Sequence, residues 1–238
     1  MNYYSLKLRL WDTSILDEHS DGPKVYPQAN GDRISNNNGY LSKGGNFGKI
    51  FFENVVDNAP VFDYFHLYSL SYQKEYDWIL LDAYSYIGQN VPSCRGFLIS
   101  ERLKNMLEQF EISKPFRFYK SKLMFHGKKL PYYIFHLAQN EWNNLIFESS
   151  KYFELNENGN LTQLSVSVRN RKEFKFLFKE SKNKQLIWKL KLKQHSDIFY
   201  FPFIDKGGYV ISEKLKNRIN ELGFKGFQIT KLDKVEFL

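Results

Sequence analysis

The chain has 238 residues, with 34 Lys+Arg against 26 Asp+Glu, a formal net charge of +8 and a sequence pI near 9.3. At 42% hydrophobic and 25% charged residues it has the composition of a folded globular protein and not of a disordered one. Its single cysteine, Cys94, excludes an intramolecular disulfide framework and any multi-cysteine zinc or iron–sulfur centre.

The first segment, Tyr3-Tyr4-Ser5-Leu6-Lys7-Leu8-Arg9-Leu10, alternates apolar and cationic positions, the period of a half-buried strand. It lacks the continuous apolar stretch of about 7–15 residues that a signal peptide needs. No run in the chain approaches the ~18 apolar residues of a membrane span. The expectation is a cytoplasmic protein with no membrane partner. Asp17-Glu18-His19-Ser20-Asp21-Gly22 has part of a calcium-loop spacing. However, His19 falls at the third ligand position and Gln28 stands where a bidentate Glu is required, so the segment reads as a polar turn. Lys43-Gly44-Gly45-Asn46-Phe47-Gly48-Lys49-Ile50 lacks both the first glycine and the hydroxyl of a phosphate loop. Residues 27–48 read as a long irregular loop, and loops of that length are commonly functional, so this is one candidate contact surface.

Two stretches spaced by 112 residues repeat one another. They are Gly96-Phe97-Leu98-Ile99-Ser100-Glu101-Arg102-Leu103-Lys104 and Gly208-Tyr209-Val210-Ile211-Ser212-Glu213-Lys214-Leu215-Lys216. Each predicts a short apolar strand, a serine N-cap with an acid in the first turn, and an amphipathic helix. Leu103, Met106, Leu107 and Phe110 form the apolar face of the first helix, and Leu215, Ile219 and Leu222 that of the second, which Gly223 terminates. Capping accounts for the Ser-Glu pairs, so they are not taken as catalytic. Aromatic strands follow both helices, at Phe116–Tyr119 and Phe224–Ile229. Between the copies lie a strand-like Leu130–Leu137 and an Ile-Phe-Glu-Ser-Ser-Lys-Tyr-Phe turn at 146–153.

The charge is local. Residues 1–119 carry 12 basic and 14 acidic side chains, residues 120–238 carry 22 and 12, and the whole excess of +8 falls within Arg169–Lys193. There Phe174, Phe176 and Phe178 alternate with Glu173, Lys175, Leu177 and Lys179. After a short linker at 181–185, Leu186, Trp188, Leu190 and Leu192 alternate with Ile187, Lys189, Lys191 and Lys193. This pattern predicts a hairpin with an aromatic inner face and an outer face bearing Lys175, Lys179, Lys189, Lys191 and Lys193. These five lysines are the candidate partner-binding residues. Because the aromatics turn inward, not interleaved with the lysines as stacking platforms, an acidic protein fits better than a nucleic acid.

The order of these motifs resembles a family of bacterial immunity proteins from polymorphic toxin systems, formerly a domain of unknown function. It comprises the Ile-Ser-Glu-x-Leu-Lys helix starts, the Tyr132-Tyr133 strand, the 146–153 segment, the basic hairpin, Ile198-Phe199 and the closing Gly223-Phe224-Lys225-Gly226-Phe227. The likeness covers roughly residues 77–230. It implies a non-enzymatic cytoplasmic protein that neutralises a cognate toxin domain by stoichiometric binding, with no cofactor and no catalytic residues to carry over. Immunity proteins that oppose nucleases are often acidic, and this chain is basic, which argues against a nuclease partner.

The remaining chemistry is sparse. No two of His19, His66, His126, His136 and His195 share a helical metal-binding spacing, and no metal site is expected. His136 reads as a packed strand histidine, and Cys94, although beside Arg95, has no base near it in sequence. Asp77 and Asp82 fall on opposite faces of a strand. The fold expected is α+β. It is a strand-rich single domain over 1–238 with two similar strand–helix–strand units, in which 1–90 is a candidate subdomain and 91–238 the immunity-like region. A nucleic-acid-associated protein using residues 169–193 is the alternative function.

Overall fold

A computed structural model describes residues 2–8, 28–32, 34, 54–57, 59–67, 80–88, 91–92, 94–138, 141–155, 160–180, 186–201, 208–232 and 234–238. The turn at 17–22, the residues 43–50 and the 181–185 linker lie outside them, as do Asp77 and His19. In chain order the strands are β1 (Tyr3–Leu8), β2 (Gln28–Asn30), β3 (Phe62–Leu67), β4 (Ala83–Ile87) and β5 (Gly96–Ser100). The helix α1 (Glu101–Leu107) precedes β6 (Phe116–Phe125), β7 (Lys128–Leu137), β8 (Leu145–Leu155) and β9 (Leu161–Gln163). Then come α2 (Arg171–Glu180), β10 (Leu186–Leu192), β11 (Ile198–Tyr200), β12 (Tyr209–Ser212), α3 (Glu213–Glu221), β13 (Phe227–Lys231) and β14 (Val235–Phe237). The fold is therefore α+β and strand-rich. It divides into two compact units. One comprises Met1–Leu6, Asn140–Asn217 and Ile229–Leu238, and the other Lys7–Gln139 and Arg218–Gln228.

The 7–139 unit is a closed barrel with strand order β2-β3-β6-β7-β5-β4. Its long β6–β7 hairpin turns through His126 and Gly127, both with positive φ (45° and 71°), the two-residue turn whose twist matches that of the flanking strands. Phe62, Phe65, Tyr84, Leu98, Leu123, Tyr132 and Ile134 fill the interior. The two buried tyrosines keep hydrogen-bond partners: Tyr132 Oη donates to the Leu81 carbonyl and Tyr84 Oη accepts from the Leu81 amide, both at 2.6 Å. Closure leaves no open edge, and Gln28–Asn30, expected within a loop, supplies the strand that joins β3 to β4. Three residues are too few to show a period-2 pattern, which explains why the sequence hides this strand.

The 140–217 unit contains two four-stranded sheets, β11-β12-β1-β13 and β14-β10-β8-β9. Its core is aromatic: Tyr3, Trp142, Tyr152, Phe174, Trp188, Phe199, Phe201 and Phe237. Residues 146–153, expected as a turn, belong to the strand β8. The Glu-Ser-Ser run looks turn-like, yet Ser150 stays in the strand and stabilises a bulge. Its hydroxyl donates to the Ile146 carbonyl and accepts the Lys191 amide where the β8–β10 register shifts.

The two repeats are one physical device made twice. In the barrel unit Ser100 Oγ caps α1 by accepting the Leu103 amide at 3.2 Å and donates to Asp82 Oδ1 at 2.9 Å, while the Ser100 amide bonds the Asp82 carbonyl. In the other unit Ser212 Oγ accepts the Leu215 amide at 3.2 Å and donates to Asp197 Oδ1 at 2.6 Å, and the Ser212 amide bonds the Asp197 carbonyl. Even the third position matches: Arg102 pairs with Asp82 at 2.9 Å and Lys214 lies 4.0 Å from Asp197. The second helix ends as expected, with Gly223 at φ +61°, but Leu222 is exposed because α3 stops at Glu221, before the apolar face returns; α1 stops at Leu107, so Phe110, expected on its apolar face, lies beyond it. Beyond it the Lys225 amide donates to Asp82 Oδ2 at 2.9 Å. Gly226, at φ +108°, lies so close to Ala83 that any Cβ would collide with its carbonyl.

Candidate partner-binding surface

The basic segment is not a hairpin. Arg171–Glu180 is a helix, and its cap explains why. Asn170 Oδ1 accepts the amides of Lys172 and Glu173, and Glu173 returns its carboxylate to the Arg169 amide at 2.8 Å and to Asn170 Nδ2 at 3.0 Å. This is the reciprocal logic of a capping box, and the Asn-x-x-Glu spacing at 170–173 is the signal in the sequence that marks it. Residues Phe174, Leu177 and Phe178 then fall at i, i+3 and i+4 and face the core, which the three-phenylalanine alternation disguises.

Phe174 is fully buried among rings, with centroids 5.6 Å from Trp142, 5.3 Å from Trp188 and 6.2 Å from Phe201. Phe178 lies 5.2 Å from Trp188. Phe176, expected beside them, is 68% exposed. It shares the solvent face of α2 with Lys172, Lys175 and Lys179, at the i, i+3, i+4 and i+7 spacing of a single helical stripe. Two cations of this helix are held against the unit by an aromatic face. The Arg171 guanidinium lies 4.9 Å and the Lys175 ammonium 6.0 Å from the Trp142 ring centre.

The strand half of the expectation holds. Leu186, Trp188, Leu190 and Leu192 are buried, and Lys191 and Lys193 are exposed. Since α2 packs on Trp188 and Tyr152, the lysines that alternate with Trp188 stand on the opposite face of the sheet. The five lysines read as one ladder are thus divided: Lys175 and Lys179 lie on the helix, Lys189 and Lys191 on the outer sheet face, and Lys193, exposed, just past the end of β10. Lys189 is already engaged there, paired with Glu236 at 2.8 Å and 5.8 Å above the Phe153 ring. Lys151 stands directly opposite it on β8, so two like charges share this face.

The remaining candidates lie in the barrel unit. His136 is buried and stacked on Tyr119 at 6.0 Å, and burial, reinforced by Arg95, holds its imidazole down at about 4. Burial pushes the Cys94 thiol up to about 12; its sulfur sits 3.0 Å from the Tyr86 hydroxyl, an arrangement of an inert thiol and not of a nucleophile. Asp82 accepts from Ser100, Arg102 and the Lys225 amide, so its lone pairs serve the fold. A cleft of about 600 Å³ opens between α1 and the start of β6, floored by Phe110, Ile112, Phe116 and Phe118. Of its lining charges, Lys104 pairs with Glu108 at 2.7 Å and Arg117 with Asp57. Among the described residues no three His, Cys, Asp or Glu side chains gather where they could hold a metal ion. None of the described helices is long and apolar enough to cross a membrane.

A period of two marks the charge in the sequence but hides the helical stripe, and with it the place of Phe176 and Lys172 on the surface and of the buried Trp142 beneath Arg171 and Lys175. Compared with family models and with curated proteins, the chain matches none.

Proposed function

We propose that this protein neutralises a cognate bacterial toxin domain by stoichiometric binding in the cytoplasm, with no catalytic step of its own. The observation that carries the reading is the display of the excess charge. The +8 of residues 169–193 includes exposed lysines at 175, 179, 191 and 193, set over a packed aromatic core that holds their backbone rigid. Of the two lysine-bearing surfaces, the solvent face of α2 with Lys172, Lys175 and Lys179 carries one charge sign on a packed helix, which suits rapid, specific capture of a partner bearing the opposite sign. The motif order of an immunity protein supplies the class of partner. Co-expression with the toxin domain encoded beside this chain tests it: growth is restored and a complex co-purifies. Growth arrest with no complex refutes it.

A second reading has one observation in its favour. Phe176 is interleaved with lysines on α2, the arrangement that a single-stranded nucleic acid uses for stacking, and this removes the argument from inward-facing aromatics. Binding of a 20-nucleotide single strand that weakens steeply with rising salt would support it.

A further inference from the structure

We infer that the solvent face of α2 is the docking surface, and that the partner it fits is a protein with an apolar pocket ringed by carboxylates, the pocket receiving the Phe176 ring. This rests on the reading of the chain as a toxin-neutralising protein and specifies which of its surfaces makes the contact. Three observations converge on it. Phe176 is the most exposed of the large apolar side chains of the described residues, at 68%, and it belongs to a helix whose other aromatics, Phe174 and Phe178, are packed. Lys172, Lys175 and Lys179 surround it on the same stripe, so an occupant that buries the ring must also meet three ammonium groups. The helix is held in place beforehand: its N-terminus is capped by Asn170 and Glu173, and Arg171 and Lys175 rest on Trp142. Pre-organisation of this kind reduces the ordering cost of binding.

The same geometry argues against the other anionic occupants. A membrane surface needs the apolar stripe of an amphipathic helix, and on α2 that stripe is already buried in the core, leaving one phenyl ring. A single strand stacks successive bases on successive aromatics, and this stripe offers only Phe176. One ring among three cations matches a pocket with an acidic rim, the arrangement in which a central aromatic carries most of the binding energy.

The test uses the full chain and the purified toxin domain encoded beside it, with F176A, F176L and the triple variant K172E/K175E/K179E. Thermal unfolding first confirms that each variant keeps the wild-type midpoint; if the triple variant does not, the single K179E replaces it. The inference predicts about 30-fold weaker binding for F176A, the level of an interface hot spot, and near-wild-type binding for F176L. For the charge reversal it predicts association about tenfold slower, with a reduced salt dependence. Wild-type binding together with F176A and charge-reversal variants within twofold of it overturns this inference and leaves the toxin reading standing. No binding by the wild-type chain overturns the toxin reading itself. Tighter binding to a 20-nucleotide single strand, or to phosphatidylglycerol vesicles, than to the toxin domain overturns both.

Discussion

Phe174 and Phe176 are two residues apart and chemically identical, so a strand places them alike and a helix does not. Here one is 1% exposed and the other 68%. Replacing Phe174 with alanine removes a ring that touches Trp142, Phe147, Tyr152, Trp188 and Phe201, and leaves a cavity that so many rigid rings cannot collapse to fill. Core Phe→Ala changes cost about 3–5 kcal/mol, against which the better helix propensity of alanine returns only about 0.5 kcal/mol. The expected loss is therefore about 3–4 kcal/mol. Phe176→Ala forfeits little packing and gains the same propensity, so its effect stays within about 0.5 kcal/mol. Trp142 and Trp188 both border the Phe174 site, so urea unfolding followed by tryptophan fluorescence reports on this core directly. Equal losses for the two variants would refute the helix and restore a strand with both rings inside.

The other predictions concern the barrel unit and the duplicated aspartates. Asp82→Ala strips acceptors from Ser100, Arg102 and the Lys225 amide and is expected to cost about 2–4 kcal/mol, with the exposed Arg102 contributing least. Asp197→Ala, whose cation stands 4.0 Å away, should cost less; the reverse order in denaturant titrations would contradict this ranking. With His136 near 4 in the folded chain and 6.5 unfolded, the unfolded state binds more protons between those values. Stability is complete above pH 6.5 and falls towards pH 4, by about 2–3 kcal/mol after allowance for solvent screening. His136→Phe should flatten that slope, and an unchanged pH profile would show that another group titrates. Cys94, raised to about 12, should react with iodoacetamide at pH 8 about fiftyfold more slowly in the folded chain than in urea, the loss of thiolate being offset in part by its greater nucleophilicity. Equal rates would mean that the thiol is not shielded.

Much of this architecture was legible where the local pattern and the tertiary environment agree. Ser100 and Ser212 cap helices in the sequence and in the fold, and Tyr132-Tyr133 lies in β7. The aspartates that complete each cap were not legible, because Asp82 precedes its serine by 18 residues and Asp197 by 15, and nothing local marks either. At 171–180 two periods fit the same residues: phenylalanines at every second position satisfy a strand, and Phe174, Leu177 and Phe178 satisfy a helix. Packing against Trp188 and the Asn170–Glu173 cap decide for the helix. The same decision turned one supposed lysine ladder into two separate surfaces and brought Phe176 out among the charges. Charge itself was readable from composition, whereas the face that displays it depended on a turn of helix.

Stoichiometric inhibition is the central property to measure. Toxin activity should be measured at fixed toxin concentration, well above the dissociation constant, while the chain is added in steps. The prediction is a linear decline that ends at one chain per toxin domain and does not deepen with time. Activity that continues to fall with time at a tenth of that ratio would reveal a catalytic mechanism, and activity unaffected at any ratio would remove the toxin partner altogether.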